Sequence, residues 1–153
     1  MEIYKQISRL MLIVVLLYSG CFTVVKKNTE ILWDTYGVPH IFASDYNQLF
    51  YAFGWAQMRN HGNLMLRLFG QARGQAAEYF GEPYLISDQW VHINNIPQRA
   101  AEWLESQQPD FKQYFQSFTD GINDYASQFP DEINSDTRAI LPIEPTDLLA
   151  HYQ

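Results

Sequence analysis

Glu30-Ile31-Leu32-Trp33-Asp34-Thr35-Tyr36-Gly37-Val38-Pro39-His40-Ile41-Phe42-Ala43 is the stretch from which the fold can be read outward. Two short runs rich in β-branched and aromatic side chains, 30–34 and 38–43, flank Thr35-Tyr36-Gly37, so a hairpin or tight bend is expected. Gly37 is expected in the left-handed region, which a residue without a Cβ enters freely. Pro39 has no amide hydrogen to donate and therefore belongs at a strand start or a sheet edge.

Downstream the period changes from strand to helix. Asp45 followed three residues later by Gln48 has the layout of a helix cap, and Leu49, Phe53, Ala56, Asn60, Leu64 and Leu68 recur at helical steps. One long helix is expected, with the Asn60 amide buried on its apolar stripe and in need of partners. Gly54 and Gly62 each cost such a helix about 1 kcal/mol relative to Ala, so close packing against another backbone is expected to compensate. Gln71 to Phe80 reads as a further helical stretch, entered through Gly70 and closed by Gly81 and Pro83, and residues 82–95 read as loop or short strand. Pro97 opens a helix with Ala100, Ala101 and Leu104 on one side. Phe111, Phe115, Phe118, Ile122, Tyr125 and Phe129 give the clearest amphipathic helix, stopped at Pro130. Residues 131–145 read as loop, and Thr146-Asp147 as the start of a helix carrying Leu148 and Leu149. The sequence ends at Gln153, one or two turns into that helix, as expected of a truncated polypeptide.

Upstream, Lys5 and Arg9 precede the apolar run Leu10 to Leu17, which meets Tyr18-Ser19-Gly20-Cys21. The run falls short of the about 20 apolar residues a spanning helix needs, so residues 1–20 read as a cleaved export signal. Cys21 is the only cysteine, and its setting resembles the lipobox of bacterial lipoproteins, with Tyr18 in place of the usual aliphatic residue. Cys21 is therefore expected to be lipidated, the bland alternative being an unpaired cysteine in an ordinary signal peptide. Residues 21–28 would form the lipoprotein tether, and residues 29–153 the folded body. Export to the periplasm, or to the outer membrane through the lipid anchor, is the expected localisation.

The formal charge of −7 becomes −8 once residues 1–20 are removed, with eight basic and sixteen acidic residues remaining. Without a basic run in that body, nucleic acid is not an expected partner. A 47% hydrophobic content, with 16% aromatic, fits one packed domain and not a disordered chain. A lone cysteine leaves stability to packing, since no internal disulfide can form. His40, His61, His92 and His151 show no metal-ligand spacing, and no metal residue is assigned.

Taken as one block, Trp33 to Ala43 resembles the opening signature of the penicillin acylase family of N-terminal nucleophile hydrolases. The resemblance continues through Leu49-Phe50-Tyr51-Ala52-Phe53-Gly54-Trp55-Ala56-Gln57 and Gly74-Gln75-Ala76-Ala77-Glu78-Tyr79-Phe80-Gly81. Gly121-Ile122-Asn123-Asp124-Tyr125 resembles the family's Gly-x-Asn helix, and Ile143-Glu144-Pro145-Thr146-Asp147 the segment that leads into its substrate-lining helix. The chain departs from many members at Asn60-His61, where they carry Asp-Arg or Asp-Asn, and at Phe69-Gly70, where they carry Arg-Arg.

This resemblance implies an α+β fold class: a helix-rich N-terminal fragment of an αββα sandwich, opening with a short β-hairpin. It also implies a zymogen cut into an α chain and a β chain, the latter beginning with a catalytic Ser, occasionally Thr or Cys. An N-terminal residue carries nucleophile and base together, because an α-amine with an unperturbed pKa of about 7.7–8.0 can take the hydroxyl proton. Calcium is implied for the complete protein, with no cofactor in this fragment. The implied partners are the β chain of the same precursor and a small acylated amine: a β-lactam side-chain amide, an N-acyl homoserine lactone or another. No catalytic residue is assigned within the chain, and the fragment alone is expected to be inactive, with exposed stripes that make it sticky or partly molten.

Several residues carry a second reading. Ser19, Ser44, Ser87, Ser106, Ser117, Ser127 and Ser135 lack a nucleophile elbow and suit caps or solvated positions. His40 reads as a structural histidine, and Asn60 and His61 as an internal polar clamp. Arg73 and Glu78, five apart, are expected to tie this stretch to other parts of the fold and not to each other. The alternative function is a non-catalytic surface lipoprotein that binds a ligand or partner. Cooperative folding of residues 21–153 as a monomer would favour it, whereas a nucleophile at a downstream processing junction would favour the amidohydrolase.

Overall fold

The computed structural model describes residues 29–153, so the leader, Cys21 and the tether lie outside the described residues. Strands β1 (Glu30–Trp33) and β2 (Pro39–Phe42) pair antiparallel, with Ile31 opposite Ile41 and Trp33 opposite Pro39. The turn is held by Asp34, whose Oδ1 accepts the amides of Tyr36 at 2.8 Å and Val38 at 2.9 Å, while Gly37 sits at φ +77° as expected. Pro39 begins its strand. Ile31, Trp33 and Ile41 rest half-buried on the helix that follows, while the opposite face of the ribbon exposes Leu32 and Phe42 beside Glu30 and His40.

Helix α1 (Tyr46–Ala72) starts at Asp45, whose carboxylate accepts the Gln48 amide at 2.9 Å. Its buried row is Gly54, Met58, Gly62, Leu66 and Gly70, not the expected stripe, of which Phe53, Asn60 and Leu64 are exposed. The reason is the neighbour, α5 (Pro109–Gln128), against which α1 makes its most extensive contact. A Cβ at Gly54 would lie 2.0 Å from the Phe118 carbonyl oxygen, and one at Gly121 would lie 2.0 Å from that of Tyr51. The two backbones therefore touch reciprocally, and small residues line the seam while the large ones flank it. Gly62 behaves otherwise: it faces only the Met58 side chain of its own helix, and it follows His61, whose φ of −138° breaks the helical run.

The end of α1 comes later than expected. The helix runs through Gly70 to Ala72, and the break falls at Gly74 (φ +70°) before α2 (Ala76–Phe80). Residues 82–95, expected as loop or strand, instead hold a 3-10 turn and α3 (Leu85–Ile93). That helix is fixed by polar groups. Asp88 is buried and its two carboxylate oxygens accept the Ala76 and Ala77 amides at 3.0 and 2.7 Å, while the His92 Nε2–H donates to Gly74 O at 2.9 Å. The polar face of this helix turns inward, while its apolar row, Ile86, Trp90 and Ile93, is exposed.

Helix α4 (Ile96–Glu105) opens with Pro97 and buries Ala100, though Ala101 is exposed. After α5 comes a 3-10 turn at Pro130–Glu132, then one turn of α6 (Ser135–Arg138), and finally α7 (Pro145–His151). The main core gathers Met58, Leu66, Phe69, Ile122, Tyr125, Ile133, Ile140, Ile143 and Leu148. A smaller one joins Ala72, Ala100, Leu149 and Ala150.

Candidate functional site

A depression of about 840 Å³ opens between β1, α1 and α5. Trp33 enters it from the hairpin, Tyr51, Trp55 and Arg59 from α1, and Ser117 and Gln128 from α5. Arg59 lays its guanidinium 4.4 Å from the Trp33 ring centroid, a cation–π contact that holds both side chains against the ribbon. Trp55 meets Tyr125 edge-on at 4.9 Å. Tyr51 donates its hydroxyl to Asp124 Oδ2 at 2.8 Å, and burial together with that carboxylate pushes the phenol up to about 12. Tyr125, buried and donating to Glu132, is likewise pushed up to about 12 by burial first and the carboxylate second.

This lining can bind but not attack. Ser117 is its one serine, and no histidine lines the depression with it, so the general base a serine hydroxyl needs is missing there. Arg59 offers a cationic donor and the tryptophans offer flat apolar faces. Among the described residues no group of three His, Cys, Asp or Glu side chains stands close enough to hold a metal ion.

The residues weighed from the sequence scatter. His40 approaches Asp34 at 3.4 Å across the hairpin, outside the depression. Asn60 is exposed, reaching only Gly37 O at 3.4 Å, and His61 is exposed at the kink. The polar clamp lies three residues further on: Asn63 Oδ1 accepts the Asn134 amide and the Thr137 hydroxyl, both at 2.8 Å, and its Nδ2 donates to Glu132 O at 3.1 Å. Arg73 does tie distant parts together, giving 2.7 Å bonds from Nε and Nη2 to Asp147 and reaching the carbonyls of Ile140 at 2.7 Å and Pro142 at 2.8 Å. Glu78 is exposed. Asn123, in the Gly-x-Asn segment, reads the Ile143 backbone twice, at 2.9 and 2.8 Å.

Comparison with known proteins decides the family. The model of the penicillin amidase family matches residues 28–151, nearly the whole described body. The chain belongs to the penicillin amidase family. A penicillin G acylase of Escherichia coli is 26% identical over 117 residues, which cover 76% of this chain and 13% of that protein. An acyl-homoserine lactone acylase PvdQ of Pseudomonas fluorescens is 27% identical over 137 residues, 81% of this chain and 17% of that one. Among solved structures, the thermostable penicillin G acylase from Alcaligenes faecalis matches with a TM-score of 0.72 at 24% identity, covering 82% of this chain and 70% of the matched chain. This penicillin amidase family member thus spans about one seventh of the length of its curated relatives, and the helix-rich body with its opening hairpin is the family's fold over that span.

Proposed function

We propose that this chain is the N-terminal share of an exported amidohydrolase that cleaves the amide bond of N-acylated amines. The nucleophile stands at the amino terminus of a β chain from the same precursor. The observation that carries this reading is the hairpin: its outer face leaves Leu32 and Phe42 exposed beside Glu30 and His40, and among the described residues it pairs to no strand beyond its own partner. A two-stranded ribbon alone is marginal in water, and one with open edges and exposed apolar side chains belongs within a larger sheet. The lengths agree. This chain covers most of the solved acylase chain but a small part of the curated acylase, so the solved chain is several-fold shorter, as a processed precursor would yield.

In this arrangement the chain supplies the platform and the β chain supplies attack, base and oxyanion donors. The tetrahedral adduct collapses with release of the amine, and water then hydrolyses the acyl ester. Cys21 carries the lipid that holds the assembly at a membrane. The family match leaves little of the body for a separate binding module, so nothing observed favours a purely ligand-binding lipoprotein.

The test is to supply the chain with the segment encoded downstream and to measure amine release from a panel of N-acylated amines. The pair should turn over and the chain alone should not, and replacing the first residue of the β chain by Ala should abolish turnover. Hydrolysis by the chain alone, or an inert pair that nonetheless assembles, would refute the reading.

A further inference from the structure

The two edges of the hairpin are not alike. The Asp34 amide donates to Val38 O at 3.1 Å, so these two residues form a hydrogen-bonded pair, and in an antiparallel ladder such pairs alternate with non-bonded ones. The register then makes Leu32–His40 and Glu30–Phe42 bonded pairs, while Ile31–Ile41 and Trp33–Pro39 turn their backbone groups away from the partner strand. The outer edge of β1 therefore presents two donors and two acceptors, the amides and carbonyls of Ile31 and Trp33, and none of them bonds another described element. On the outer edge of β2, Pro39 has no amide hydrogen, which blunts that side.

The depression lies along the open edge. From the ribbon it is lined by Thr29, Ile31 and Trp33, and by no residue of β2. These are the alternate residues that also present the edge groups, so a chain drawn up beside β1 would lie over the depression and lower every second side chain into it. There it would meet the Trp55 indole and Arg59. Arg59 stacks on Trp33 but has no carboxylate partner among the described residues.

We propose that β1 takes up an extended strand of the β chain along this edge, with apolar side chains lowered onto Trp33 and Trp55 and a carboxylate brought to Arg59. This rests on the reading of the chain as one share of a two-chain amidohydrolase, and it adds which edge is extended and what the added strand carries. The edge groups recognise any extended backbone, so the indoles and the guanidinium supply the selectivity. A small ligand in the depression would leave the row of edge groups unpaired. A second copy of the chain fits poorly as well, because the inward face of its own β1 carries Thr29, Ile31 and Trp33 and brings no carboxylate to Arg59.

The experiment follows residue-resolved amide exchange in the isotopically labelled full chain, alone and after assembly with the β chain, and scores amine release by the same pair. In the pair, the amides of Ile31 and Trp33 should exchange at least about a hundredfold more slowly than in the chain alone. Arg59→Met keeps contact with Trp33 but loses the charge, and it should weaken assembly about tenfold and flatten its salt dependence. A pair that releases amine while both amides exchange as fast as in the chain alone overturns the added strand and leaves the amidohydrolase reading standing. An inert pair with both amides protected refutes that reading and keeps the strand. An Arg59→Met pair as tight as wild type overturns the carboxylate. Protection already present in the chain alone overturns the proposal too: residues 22–28 folded onto the edge if it is independent of concentration, a second copy if it is not.

Discussion

Arg73 illustrates how much a single side chain can carry. It meets a nearly buried carboxylate in a two-pronged pair and also holds two carbonyls of the 140–142 segment, so every nitrogen of its fork is used. Asp147 in turn accepts the Glu144 amide at 2.8 Å and caps α7. Arg73→Leu strands this carboxylate without a counter-charge, and a loss of about 3 kcal/mol is expected in urea unfolding, with Arg73→Lys recovering only part because an ammonium cannot serve four acceptor sites in one plane. The tyrosines respond to base. Tyr51 and Tyr125 are raised to about 12 from an ordinary value of about 10, so the folded state prefers the protonated phenol. Their contribution is fully present below about pH 10 and is lost as pH climbs toward 12. Ultraviolet titration should show two of the tyrosines ionising last, and Tyr51→Phe should remove one of them. The sequence made Arg73 legible as a tie to somewhere, because Glu78 stands at the wrong helical spacing, but Asp147 lies 74 positions away and no local pattern can point to it.

At the scale of elements, the α1–α5 crossing depends on the absence of two β-carbons. Gly54→Ala or Gly121→Ala puts a methyl group 2.0 Å from a backbone oxygen that cannot yield, so either should cost about 3 kcal/mol despite the better helix propensity of Ala. Gly62→Ala is the control: it meets only the movable Met58 side chain, and thermal unfolding should separate it clearly from the other two. Large apolar side chains announced that α1 and α5 exist, through Phe53, Leu64 and the Phe111 to Phe129 row. They misplaced the contact face of α1, because hydrophobic period weighs bulk and the seam is made of what lacks it. Helix α3, also unread, is anchored by Asp88 and His92, and its greasy side faces out.

The whole molecule is a platform with a core of its own and several apolar surfaces left open: Leu32 and Phe42 on the hairpin, Phe53 and Leu64 along α1, and the α3 ridge. Alone it should bind the dye ANS strongly. Under the proposed function, addition of the β chain should quench most of that signal. The family, the hairpin and the longer helices were legible because short motifs such as Trp33 to Ala43 carry turn chemistry and packing together, whereas the helices at 85–93 and 135–138 were not. The binding depression was not, since Trp33, Arg59 and Gln128 meet only after three elements dock. Finally, the bond from Arg73 to Asp147 has a consequence for synthesis. A polypeptide emerging from its amino end displays that guanidinium for 74 further residues before the carboxylate exists, and its two carbonyl acceptors arrive only 67 and 69 residues after it. Nascent chains stalled before and after residue 147 should therefore differ abruptly in resistance to protease, as a clasp that can shut only when its last link has been made.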